Sequence, residues 1–189
     1  MTKKFNSVLI IGMGLIGSSI SRAMIEYHVA NNVYGLDVDD KVVKKCQELN
    51  LLIQGETHLF NFNLQFDLVI ICTPVSTYEK IFIELNKFIT QPTLVTDVGS
   101  TKMSTISDFN KINSDRNISF VPSHPIAGLE KSGPEYGFSK LFENRYCILT
   151  PFQKEDKAIE SISDMWKSCL LYTSPSPRDA TLSRMPSSA

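Results

Sequence analysis

Three glycines in the run Gly12-Met13-Gly14-Leu15-Ile16-Gly17 constrain the fold most, because they separate two stretches of different periodicity. Before them, residues 7–11 (SVLII) are continuous and β-branched, the mark of a strand covered on both faces. After them, Ile16, Ile20, Ala23, Met24 and Val29 recur at helical spacing, which predicts a helix over 18–29. A strand that enters a helix through G-x-G-x-x-G makes the turn that receives a pyrophosphate. Gly12 permits the tight turn, Gly14 lets backbone approach the phosphates, and Gly17 lets the helix pack near the strand. The opening turn of the helix, with Leu15 and Ile16, offers unpaired N–H groups and a partial positive charge.

Asp37 strengthens this reading. It stands 20 residues beyond Gly17, at the end of a second strand predicted over 32–36. A carboxylate there accepts hydrogen bonds from the adenosine ribose and repels a 2′-phosphate. Val38, Asp39 and Asp40 supply no arginine for such a phosphate, so NAD is expected over NADP. The plainer reading of Asp37 is a helix cap or a solvated loop residue.

The alternation continues along the chain. Asp39 or Asp40 can cap a helix carrying Val42, Val43, Cys46 and Leu49, and 51–65 should hold one short strand and a loop. Strands are predicted over 66–72, 93–97, 118–121 and 146–149, the last closing the series, with helices over 77–89, 102–112 and 154–170. Strand and helix in turn imply right-handed crossovers and an α/β fold, a doubly wound parallel sheet of the Rossmann type. Ligands of such sheets bind beyond the carboxyl ends of the strands, which points to Thr73 and Pro74 and to Gly99, Ser100 and Thr101. Helix capping is the competing role for either hydroxyl of the second group.

Bulk properties narrow the partners. A net charge of -1 gives no field to recruit nucleic acid or an anionic membrane. No apolar run approaches the roughly 20 residues of a membrane span. Four cysteines are scattered without metal-ligand spacing, so no metal is expected and the setting should be reducing and cytoplasmic.

One histidine of three stands out. His28 and His58 read as surface or loop residues, whereas His124 lies just past the strand at 118–121, between Pro122 and Pro125, on the expected cofactor side. A neutral imidazole there suits removal of a proton from an alcohol as hydride departs. A structural histidine bonded within its loop is the alternative.

The segments Gly12-Met-Gly-Leu-Ile-Gly-Ser-Ser19, Asp97-Val-Gly-Ser-Thr-Lys102, His124-Pro-Ile-Ala-Gly-Leu-Glu-Lys-Ser-Gly133 and Leu141-Phe-Glu-Asn-Arg-Tyr-Cys-Ile-Leu-Thr-Pro151 together resemble prephenate/arogenate dehydrogenases, in order over 7–166. The histidine segment is the specific part; the glycine turn is common to many dehydrogenases. The resemblance implies NAD-dependent oxidative decarboxylation of prephenate to 4-hydroxyphenylpyruvate, or of arogenate to tyrosine. It implies a catalytic His124, a substrate-orienting Ser100, and Glu130 at the substrate cleft. It also implies a helical domain after the nucleotide-binding one, forming a homodimer and supplying an arginine to the substrate carboxylate. A dehydrogenase of β-hydroxy acids is a competing reading, although a catalytic lysine on a helix would then be expected. A nucleotide-binding module without turnover is another.

The expected division is therefore a dinucleotide-binding domain over 1–152, the start of a helical dimerisation domain over 153–170, and a non-native or disordered tail over 171–189. The tail stands apart in composition. From Ser174 to Ala189 there are five serines, three prolines and two arginines without a lysine, whereas the preceding 173 residues use 14 Lys against 3 Arg. It reads as a foreign or frame-shifted end, or as a flexible natural one, on a helical domain cut short. Lys102, Lys131 and Arg145 are the cations left near the expected cleft, and none is an evident replacement for the arginine.

Overall fold

The computed structural model describes residues 5–112, 117–153, 156–169 and 171–175. The chain runs through β1 (Phe5–Ile11), α1 (Leu15–Glu26), β2 (Ala30–Leu36), α2 (Asp40–Glu48) and a short β3 (Gln54–Glu56). A second passage follows: β4 (Leu68–Ile71), α3 (Tyr78–Phe88), β5 (Thr93–Asp97), α4 (Lys102–Ile112) and β6 (Ile118–Val121). These six strands form one sheet in the order β3-β2-β1-β4-β5-β6, with every neighbouring pair parallel. That order is the doubly wound Rossmann arrangement, with its crevice between β1 and β4, where the chain reverses direction across the sheet.

The two faces follow from the period-two alternation of side chains along a strand. Val8, Ile10, Leu68 and Ile70 point to one face, where they pack with Ile20, Ala23 and Met24 of α1 and Cys46 of α2. Leu9, Ile11, Val69 and Ile71 point to the other, against Tyr78, Phe82 and Leu85 of α3 and Phe109 of α4. Both faces are covered, which is why the strands read as unbroken apolar runs rather than alternating ones. Asp39 is the residue that caps α2, its side chain accepting from the Lys41 amide at 2.9 Å. The 51–65 stretch holds β3 and a single turn of 3-10 helix at Leu59–Asn61.

Past β6 the pattern changes. Pro122 follows immediately, cannot donate to a ladder, and ends the parallel sheet. The chain bends into β7 (Ser123–Pro125) and later β8 (Arg145–Leu149), α5 (Asp156–Ser168) and β9 (Leu171–Pro175). The strand expected over 146–149 is β8, but it is neither the last strand nor part of the parallel sheet. It pairs antiparallel with β7 and parallel with β9 in a separate three-stranded sheet.

The helix expected over 154–170 is α5. Its Ala158, Ile162, Met165 and Trp166 are buried in the same core as α1 and the sheet residues Val8 and Ile10. Of the tail expected over 171–189, the first five residues form β9, and 176–189 lie outside the described residues.

Candidate functional site

The glycine turn lies at the carboxyl end of β1. Gly12 has φ +93°, and a Cβ there would meet the Cys72 carbonyl carbon and the Thr73 amide at 2.9 Å each. The turn after β1 is thus pressed against the turn after β4. At Gly17 a Cβ would collide with the carbonyl oxygen of Gly12, so α1 rises directly off the turn. Gly14 differs from both: its φ of -69° suits any residue, and a Cβ on it would meet no protein atom within 4 Å. Nothing inside the protein requires glycine there. The position caps α1 without a side-chain hydrogen bond, and the first-turn amides of Leu15, Ile16 and Gly17 precede the first i→i-4 bond, from Ser18 N–H to Gly14. Open space over a helix N-terminus fits a phosphate.

Asp37 follows β2 and reaches across to this turn. One carboxylate oxygen accepts from the Met13 amide at 2.8 Å and the other from the Asp39 amide at 3.1 Å. The carboxylate is half-buried, and each oxygen keeps acceptor capacity for a second donor. Thr73 and Pro74 form the facing wall beyond β4. The Thr73 and Thr77 hydroxyls lie 2.8 Å apart, and Thr77 donates to the Pro74 carbonyl at 2.8 Å, fixing this turn ahead of α3.

Beyond β5 and β6 sits the histidine. His124 is the middle residue of β7 and registers with Ile148 of β8. Its Nδ1 lies 3.2 Å from the Val98 carbonyl, so the ring leans against the loop that carries Gly99 and the exposed Ser100. The structure thus brings His124 and the Ser100 loop together. Glu130 is exposed on the loop after β7, with no hydrogen bond or ion pair among the described residues.

Beneath this loop is a buried polar cluster. Asp97, with no exposure to solvent, receives Lys102 Nζ on both oxygens, at 2.7 and 2.6 Å. It also accepts from the Ser123 and Gly99 amides, each at 3.0 Å. Lys102 donates in addition to the Ser123 carbonyl. The Ser123 hydroxyl donates to the Asp97 carbonyl at 2.6 Å and accepts the Trp166 indole N–H at 3.0 Å. Burial pushes the Asp97 carboxyl up despite the neighbouring ammonium, and burial likewise pulls Lys102 down despite the carboxylate. Lys102 is therefore consumed in the interior. Of the other cations, Lys131 lies 5.0 Å from the centroid of the Tyr136 ring, and Arg145 is exposed at the start of β8.

The segment matching the model of the prephenate dehydrogenase nucleotide-binding domain family covers residues 20–170, most of the chain. The chain belongs to this family. Among curated members, it is 34% identical over 169 residues to the prephenate dehydrogenase of Bacillus subtilis, covering 88% of this chain and 45% of that protein. It is 34% identical over 164 residues to the cyclohexadienyl dehydrogenase of Zymomonas mobilis, covering 86% and 55%. The chain thus spans about half the length of the curated relatives it matches. A solved structure of Aquifex aeolicus prephenate dehydrogenase, with hydroxyphenyl propionate and NAD+, superposes with a TM-score of 0.85. Identity there is 29%, over 93% of this chain and 61% of that one.

Within this family domain, two features escape sequence reasoning. Ser123 reads as an ordinary loop residue beside the histidine, yet it joins Asp97, Lys102 and Trp166 through main chain and side chain. The signal available was a Ser-His pair following an Asp-x(4)-Lys spacing at a strand end, which by itself does not reveal their approach. Ser19 is the other: its hydroxyl accepts from the Phe138 amide at 3.1 Å, so the segment after the histidine loop folds back over α1. Among the described residues no helix is long and apolar enough to cross a membrane, and no cluster of three or more potential metal ligands occurs.

Proposed function

We propose that this chain is the cofactor-binding part of an NAD-dependent dehydrogenase that oxidatively decarboxylates prephenate or arogenate. The observation that carries the reading is the pairing of an open phosphate cradle at Gly14 with a histidine at the same, carboxyl-end side of the sheet. In this reading the pyrophosphate lies over the Gly12-to-Gly17 turn and accepts from the Leu15 and Ile16 amides. Asp37 holds the adenosine ribose and disfavours a 2′-phosphate. Thr73 and Pro74 form the wall that guides the cofactor across the crevice.

Bound NAD supplies the hydride acceptor. His124 takes the proton of the ring C4 hydroxyl as that carbon is oxidised, and Ser100, one loop away, orients the same hydroxyl. Loss of CO2 from the ring carboxylate then restores aromaticity and makes the step effectively irreversible. Glu130 borders the substrate cleft, on the resemblance of its segment to the family pattern. The same resemblance supports a homodimer for a longer protein, and all four cysteines as free thiols suit a reducing, cytoplasmic setting.

The test is NADH formation, followed by absorbance, with NAD and either prephenate or arogenate. It is run on this chain and on one continued to the length of its relatives. NADH from one of the two substrates is the expected result in the longer protein. NAD binding without NADH from either substrate, in both proteins, refutes the assignment and leaves a binding module.

A further inference from the structure

We propose that Asp97, Lys102 and Ser123 form a positioning device that holds His124 as its Nδ1–H tautomer, leaving Nε2 as the proton acceptor. The inference rests on the reading of His124 as the base. It starts from the partner of Nδ1, the Val98 carbonyl at 3.2 Å. A backbone carbonyl can only accept, so in a neutral ring the proton of that hydrogen bond belongs to Nδ1. The lone pair then lies on Nε2.

Such a bond selects a tautomer only if both ends are fixed, and here one buried carboxylate fixes both. On the acceptor side, Val98 sits between Asp97 and Gly99, and the Gly99 amide donates to Asp97 at 3.0 Å. The Val98 amide itself donates to Ile71 of β4 at 3.1 Å, so the peptide cannot rotate freely. On the ring side, the residue preceding His124 is Ser123, whose amide donates to the same Asp97 carboxylate at 3.0 Å. Lys102 spans the two sides, bonding Asp97 with the Ser123 carbonyl. The Trp166 indole then pins the Ser123 hydroxyl from α5. Asp97 and Ser123 are fully buried and the Lys102 ammonium is committed to both, so these three act through His124 and are positioning residues.

The arrangement has a functional logic distinct from stability. A histidine free to exchange tautomers presents an N–H to the hydroxyl for part of the time and cannot then accept its proton. An exposed carbonyl partner would hold the ring loosely. Tying Val98 and Ser123 to one desolvated ion pair couples the loop bearing Ser100 to the strand bearing His124, so both move as a unit.

The experiment reads the tautomer directly, by long-range proton–nitrogen NMR of the chain with 15N-labelled histidine, at a pH where the imidazoles are neutral. Only three histidines occur, and His124→Asn assigns the signal. The wild-type chain should show His124 shifted toward Nδ1–H by about tenfold relative to the exposed His28 and His58, the factor supplied by a net hydrogen bond of about 1.4 kcal/mol, with Nδ1–H the dominant form. Lys102→Met should bring that ratio close to the values of His28 and His58. Ser123→Ala, which keeps the backbone and carries the decision should Lys102→Met fail to fold, should narrow it. A dominant Nε2–H form in the wild-type chain overturns the inference. So does an Nδ1–H preference that persists unchanged in a folded Lys102→Met, or in Ser123→Ala if that is the only variant that folds, because a merely structural cluster would leave it so. The readout needs neither substrate nor turnover. Failure of the dehydrogenase assignment therefore shows in the NADH assay alone, and failure of this inference shows in the spectrum.

Discussion

Substituting alanine separately at Gly14 and Gly17 should separate what the glycine turn does for the fold from what it does for the cofactor. At Gly17 the new methyl falls on the Gly12 carbonyl oxygen, and the obstructing atom is backbone that cannot swing away. Overpacking of that kind costs about 3 kcal/mol, which in a domain of this size lowers Tm by roughly 6–12 °C. At Gly14 the methyl meets nothing within 4 Å. Alanine is a poorer N-cap than glycine, but it also reduces the entropy of the unfolded chain, and the two effects nearly offset. The net change should stay within about 0.5 kcal/mol, or roughly 2 °C. With NAD the order reverses. At a concentration about 100-fold above Kd, NAD should stabilise the wild-type chain by about 2.7 kcal/mol. A methyl occupying the phosphate position weakens binding at least about tenfold, which halves that gain to about 1.4 kcal/mol. Thermal unfolding of the wild type and the two variants, with and without NAD, checks both arms. If Gly14→Ala loses as much Tm as Gly17→Ala in the absence of NAD, or keeps the full gain in its presence, the assignment of the open cradle to the pyrophosphate is wrong.

Three further outcomes are expected. In a protein continued to the length of its relatives, His124→Asn should lower kcat by about 10²- to 10⁴-fold while leaving the NAD-induced gain in Tm unchanged. Asp37→Ala should weaken NAD binding about tenfold and erode the preference over NADP, measured by titration with each nucleotide, since it removes the charged acceptor beside the turn. Alkaline stability should fall steeply. Burial pushes the Cys46 thiol from an ordinary 9.0 up to about 11, and those of Cys147 and Cys169 up to about 12, so the folded chain keeps protons that the unfolded chain releases. The stabilisation is complete below the unfolded value of about 9. It is lost above it, at about 1.4 kcal/mol per pH unit for each thiol until the folded values are reached. Urea midpoints measured from about pH 8 to about pH 10 should drop accordingly, and a flat profile would refute the burial argument.

The parts of this fold that could be read from the sequence are those where a local rule and the tertiary arrangement agree. Apolar runs such as Val8 to Ile11 mark strands because both faces of the sheet are covered, and the glycine turn marks the first crossover because backbone contact at Gly12 and Gly17 tolerates no side chain. The departures begin at Pro122, where a residue that ends one ladder also starts another. Periodicity gives Tyr146 to Leu149 as a strand but is silent about its partners, because pairing is a property of two segments and only one is local. The site divides in the same way. Gly14, Asp37 and His124 announce themselves by residue type at a strand end. Ser123 does not, because its bonds to Lys102, Asp97 and Trp166 span 21–43 residues, and the Asp97–Lys102 pair, 5 residues apart, gives no local sign of the Ser123 it holds.

Trp166 shows why the division is physical. Its helix carries Ala158, Ile162 and Met165 on one apolar face, a pattern equally compatible with the first helix of a separate domain or with the last one packed on this sheet. Area burial alone does not choose between them, since either core would accept the face. The indole N–H does. It is a single donor on that face, it is fully buried, and it requires an acceptor wherever the helix docks. The Ser123 hydroxyl supplies that acceptor at 3.0 Å, already oriented by its own donation to the Asp97 carbonyl. Docking α5 on the sheet therefore satisfies the indole and completes the cluster under His124 in one step. A helix whose apolar pattern reads as mere packing thereby becomes part of the support of the candidate site.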